Sequence, residues 1–154
     1  MLTSKIDAQL FFHEIVEPTV AEFMAARSDK RRGCLACLVL ASMMEHYSHE
    51  FASDTEQARK EMKLAFCNEN KALRWISDVA DATRHVVRHP RFKAISFNDI
   101  QTMEMGQCGV MRCGWPIRGE EVLVGPKHEW RLSDLLECAT DFWRQRLTTV
   151  TSDQ

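Results

Sequence analysis

The sequence predicts a mainly α fold: a bundle of four to five helices with a small antiparallel β-meander inserted before the last helix. Three observations predict it. Apolar residues recur at helical spacing from near the N-terminus to His89. Beyond Pro90 the chain breaks into short runs punctuated by glycine and proline. From Ser133 the helical period returns. The expected organisation is one domain, with a helical part at 4–89 and 133–148, a β insert at 92–125 and a frayed tail at 149–154.

Each element has its own signal. Thr3-Ser4 caps a first helix through "KIDAQLFFHEIVEPTVAEFMAAR", with Asp7 three residues after Ser4 in capping-box spacing. Pro18 inside it removes a backbone donor, so the helix is expected to kink or restart there. "RSDKRRG" is a polar break before a second helix at about 30–51, apolar on nearly all sides from Cys34 to Met44 and therefore expected in the middle of the bundle. Ser53-Asp54-Thr55-Glu56 has S-x-x-E capping-box form and opens a shorter helix toward Phe66. Leu73, Ile76, Val79, Ala80, Thr83, Val86 and Val87 define a fourth helix over about 69–88, which His89-Pro90 ends. "KAISF", "IQTMEM", "GVMRC" and "EVLV" then read as three or four antiparallel strands. The last helix, "SDLLECATDFWRQRL", starts at Ser133, and Trp130 and Trp143 are expected to pack it onto the bundle.

Composition excludes some functions. Of 154 residues 45% are apolar and 27% charged, the balance of a water-soluble domain. A formal charge of −2 gives no global attraction to nucleic acid or acidic membrane, so such affinity needs a local patch. "GCLACLVLASMM", the longest apolar stretch, is too short to span a bilayer, and no signal-peptide layout is present. The expected location is the cytoplasm, with no membrane partner. Six cysteines then stay reduced: Cys34, Cys37, Cys67, Cys108, Cys113 and Cys138. Cys34 and Cys37, with Cys108 and Cys113, have the thiols for a zinc site, but "GCLACLVLA" reads as core and lacks knuckle glycines. No cofactor is expected. Phosphate-loop, dinucleotide and nucleophile-elbow motifs are absent, and the four tryptophans are not interleaved with a basic strip.

One stretch carries chemistry. On a helical wheel of "DVADATRHVVRHP", Asp78, Asp81, His85, Arg88 and His89 share the polar side, with Arg84 at its boundary. Asp81 stands one turn before Arg84 and His85 and can orient either. A polar face with basic residues near a helix C-terminus also follows from the helix dipole alone.

Arg84-His85-Val86-Val87-Arg88-His89 resembles the R-[N/D/H]-x3-H motif of HEPN domains. The resemblance covers the helical part, leaving the β insert outside it. It implies a helical bundle, often dimeric, and metal-independent RNA cleavage. It further implies that Arg84 stabilises the scissile phosphate, that His89 transfers protons at the ribose 2′-hydroxyl, and that His85 and Asp81 support them. Histidine near neutral pKa both takes and gives protons, and guanidinium stabilises phosphate charge. "ISDVADATRH" also resembles the D-x-A-N-A-x-K-H stretch of bacterial proteins of HEPN-like layout, for which Arg84-His85 is the matching pair and catalysis is not implied.

Two further clusters complete the candidates. Arg27, Lys30, Arg31 and Arg32, with Arg88, are basic residues for phosphate or an acidic partner; at a helix start they oppose the dipole and invite an anion. His46 and His49, one turn apart in "MEHYSHE", form with His13 an alternative metal set, although the Glu-x-x-His repeat of carboxylate-bridged bundles is missing. The functional expectation is a homodimeric, RNA-binding or RNA-cleaving domain. The alternative is a non-catalytic helical protein whose basic face meets an acidic protein or a second copy of itself.

Overall fold

The computed structural model describes residues 5–84, 95–107 and 109–152. It is mainly helical, with a three-stranded antiparallel sheet just before the last helix. The first helical stretch does not break at Pro18. α1 (Lys5–Phe11) passes through one wide π-turn, Phe12–Val16, directly into α2 (Glu17–Met24). Pro18 has no N–H for the Glu14 carbonyl, and the widened turn before it spares the helix a clash that would otherwise bend it. Phe12, Val16, Val20 and Phe23 keep one buried stripe across the join. The proposed cap at Thr3-Ser4 lies outside the described residues.

α3 (Lys30–Phe51) is capped by Asp29, whose Oδ1 accepts the Arg32 amide at 3.1 Å. It packs against α1, α2, α4, α5 and α6, the central place expected of it. It is not apolar-buried all round, since Leu35 is 42% exposed; one stripe from Cys34 to Tyr47 enters the core. Gly33 permits a close approach to its neighbours: a Cβ there would stand 2.6 Å from Leu132 Cδ2 and 3.1 Å from Phe23.

α4 (Glu56–Glu69) is capped by Thr55, not by Ser53 as the S-x-x-E spacing suggested. The Thr55 hydroxyl accepts the Ala58 amide at 3.1 Å, and its extended φ/ψ is that of a cap. The helix also runs past Phe66 to Glu69. α5 (Lys71–Arg84) is the most strongly amphipathic element, burying Leu73, Ile76, Val79 and Ala80.

In the β region β1 (Ile100–Glu104), β2 (Glu120–Val124) and β3 (Trp130–Arg131) lie in the order β1-β2-β3. Ile100 faces Val124 and Glu104 faces Glu120; Leu123 faces Arg131. "GVMRC" is not a strand but part of the turns between β1 and β2, and Phe97–Asp99 of "KAISF" and its neighbours is a 3₁₀ turn closed by Ser96 and Asp99. The meander therefore reaches residue 131, and β3 leads without a loop into α6 (Leu132–Ser152). α6 also includes part of the stretch expected to fray, where Thr149 Oγ1 donates to the Arg146 carbonyl at 2.7 Å. Two bonds fasten the sheet to the α2–α3 turn: Val122 N–H to Arg27 O at 3.1 Å and Thr102 Oγ1 to Ser28 O at 2.9 Å. One hydrophobic cluster joins Phe12 and Phe23, Leu40, Leu73 and Ile76, Val122, Leu136 and Trp143. Among the described residues no helix is long and apolar enough to cross a membrane.

Candidate functional site

Packing brings Arg84 of α5 to the end of the bundle where the basic run of α3 begins. Burial pushes the Cys34 thiol up, against a hydrogen bond with Thr83 and the charge of Lys30. The start of α3 therefore lies beside the end of α5, where Asp81 and Arg84 are both exposed. Of the expected catalytic set, His85 and His89 lie outside the described residues, as does Arg88.

The basic run at α3 is largely committed within the chain. Lys30 Nζ sits 3.9 Å over the Phe97 ring and 3.5 Å from the Phe97 carbonyl. Arg32 Nε is 3.3 Å from Asp29, and Arg27 is 3.9 Å from Glu121. Arg31 is exposed. Asp29 also supplies the negative charge that the dipole and its cations were expected to draw from an outside anion.

The histidines of the alternative metal set have other contacts. The His46 ring stacks on Phe11 at 4.0 Å, and His13 Nδ1 lies 2.9 Å from Glu17 Oε2. That hydrogen bond, followed by one from Arg144, holds Glu17 below the usual carboxylate range. His49 is exposed. Among the described residues no three His, Cys, Asp or Glu side chains come together as a metal site. Cys34 and Cys37 are buried, and burial pushes the Cys37 thiol well up, as core thiols behave. Cys113 and Cys138 are exposed, and Cys108 is outside the described residues.

A second feature was not visible in the sequence. Trp75 of α5, Trp130 of β3 and Trp115 of the β1–β2 connection line one groove of about 560 Å³. Trp130 does not anchor the last helix as expected; it is 39% exposed and its ring meets Trp75 at 5.9 Å. Arg112 covers Trp115 at 5.6 Å. No local pattern announces this groove, because its rings come from three elements separated by long stretches of chain. Trp143, by contrast, packs as expected, in ring contact with Tyr47 and Phe66, each at 5.3 Å.

Chemically, the end of the bundle can present Arg84 and Arg31 to an anion, and the groove can present aromatic faces to a small ligand. Comparison of the chain with protein-family models, curated proteins and solved structures finds no match.

Proposed function

We propose that this chain is a HEPN-like domain that binds RNA at the end of the bundle where α5 closes and α3 begins. In this reading Arg84 takes the scissile phosphate and His89 carries the proton transfer, with His85 and Asp81 in support. The protein works as a cytoplasmic homodimer that concentrates two such basic ends. The observation that supports it most is that α5 packs along α3 and both reach the Phe97–Asp99 turn, on which Lys30 sits, so that Arg84 lies toward the start of α3 although about fifty residues separate them in the chain. A second reading is a non-catalytic domain that docks an acidic protein or its own copy; the internal pairing of Arg27, Lys30 and Arg32 weighs against RNA and an acidic protein alike, and so favours self-association within this reading. Less free charge then remains for a polyanion.

Incubation of labelled single-stranded RNA with the protein in excess EDTA separates the two. The ribonuclease reading expects cleavage that persists without metal and falls by about 100-fold or more in His89→Ala. Intact RNA, or cleavage indifferent to His89→Ala, removes it. The docking reading then expects a salt-sensitive self-association or complex, weakened in Arg84→Ala or Arg88→Ala and measurable by sedimentation.

A further inference from the structure

The tryptophan groove lies toward the opposite end of α5 from Arg84: Trp75 and Arg84 stand roughly 14 Å apart along the helix at its usual rise. What it holds is therefore a separate matter from RNA at the basic end. Its size falls within the roughly 300–1,000 Å³ of ordinary ligand sites. Trp75 and Trp130, 5.9 Å apart and tilted by 48°, make an angled aromatic wall whose two faces meet a ring from different sides.

The charges around that wall cancel. Lys71, Arg112 and Arg131 face Glu69, Glu129 and Asp134. Arg131 and Asp134 satisfy each other through two bonds, at 2.6 and 3.0 Å. Net charge thus draws neither a polyanion nor a free cation, and the Trp115 face already has Arg112 over it. The two remaining carboxylates are acceptors at the rim. Glu129 is held in place: its Oε2 accepts the Lys127 amide at 2.9 Å, and it occupies the room left by Gly125, where a Cβ would come within 2.5 Å of it. Glu69 is 54% exposed at the end of α4, 3.7 Å from Arg146. An adjoining cleft of about 400 Å³ shares Lys71 and Trp75, giving space for a substituent on whatever ring stacks there.

We propose that this groove binds a flat heteroaromatic ring of nucleobase size with an N–H-bearing edge, the ring stacking on Trp130 with Trp75 against its side and its N–H groups donating to Glu129 and Glu69. A neutral aromatic wall takes any planar ring; the carboxylate rim selects one that can donate.

Three probes isolate these parts. Guanosine has the ring and the donor edge, caffeine has the ring without N–H groups, and choline has a cation without a ring. Titrated into the full chain by calorimetry, guanosine is expected to bind saturably and about tenfold more tightly than caffeine, with choline weakest. Trp130→Ala, at an exposed position, is expected to abolish guanosine binding while leaving the melting temperature within a few degrees of the parent. Glu129→Gln is expected to retain caffeine and bring guanosine down toward it. Absence of saturable guanosine binding, choline binding more tightly than guanosine, equal affinity for guanosine and caffeine, or guanosine affinity unchanged in Trp130→Ala would each overturn the proposal. Because RNA cleavage is read separately in His89→Ala, failure here leaves the reading of the basic end standing, and the converse holds.

Discussion

At the scale of single residues the most informative group is Glu121. It is 5% exposed on β2, and its Oε2 has no hydrogen-bond partner among the described residues. Its cations stand off, Arg131 at 3.5 Å and Arg27 at 3.9 Å, too far for a strong charge-assisted bond. Burial raises its pKa more than Arg131 and Arg27 lower it. A carboxyl whose folded pKa is raised contributes stability below its unfolded pKa and loses it as pH rises through the folded value. Above that value the buried carboxylate is a net cost. Glu121→Gln is therefore expected to melt at or above the parent temperature at pH 7, with the advantage vanishing near pH 4; a melting point lower by more than about 4 °C at pH 7 contradicts this. Arg131→Met has the opposite sense. It leaves Glu121 and Asp134 without their shared cation and is expected to cost about 3 kcal/mol in urea unfolding. Neither effect was legible in the sequence, since nothing in "EEVLVG" distinguishes the buried Glu121 from the exposed Glu120. β2 is buried continuously from Glu121 to Val124, so alternation does not separate the two carboxylates; only the folded surroundings, with Arg27 and Arg131 drawn up to Glu121, do.

At the scale of elements the helices were legible and their boundaries less so. The period of α5 was plain because one face is continuously apolar and the other charged, which is what a surface helix requires. The start of α4 was misplaced because "SDTE" offers two hydroxyls, and which one caps depends on which residue adopts extended φ/ψ. Mutation separates them: Thr55→Ala is expected to cost about 1 kcal/mol by chemical denaturation, while Ser53→Ala stays within the roughly 0.5 kcal/mol of ordinary surface changes. Equal costs would mean that the hydroxyls share the cap. Pro18 teaches the same lesson. Its missing donor was legible, but the remedy, a π-turn over Phe12–Val16, is chosen by tertiary packing that needs Phe12 and Val16 inside together. "GVMRC" misled for a different reason: a short β-prone run between glycines has the local character of a strand, yet pairs only if another strand lies alongside.

At the scale of the whole molecule the four tryptophans divide into two populations that composition cannot separate. Trp143 is fully buried where α3, α4 and α6 meet, in ring contact with Tyr47, Phe66 and Phe142. Trp75, Trp115 and Trp130 line the groove. The sequence showed Trp143 as core because it lies on the apolar stripe of a strongly periodic helix, whereas the groove exists only once α5, β3 and the β1–β2 connection are folded against one another. The division predicts unlike consequences of like substitutions. Trp143→Ala opens a cavity at the junction of three helices and is expected to cost 3–5 kcal/mol, roughly half of the stability of an ordinary domain. Trp143→Phe is expected to cost less than its lost volume implies, because the Trp143 Nε1 is buried without a partner among the described residues and phenylalanine removes that unpaired donor. Trp130→Ala, at an exposed edge strand, is expected to fall below about 1 kcal/mol. Urea titrations followed by far-ultraviolet circular dichroism give all three midpoints. If Trp130→Ala destabilised the fold as much as Trp143→Ala, the groove would be a defect in packing between sheet and helices, its tryptophans holding structure together; if only Trp143→Ala does so, the fold keeps the large ring of Trp130 at its surface without needing it for stability, and binding is what remains to account for it.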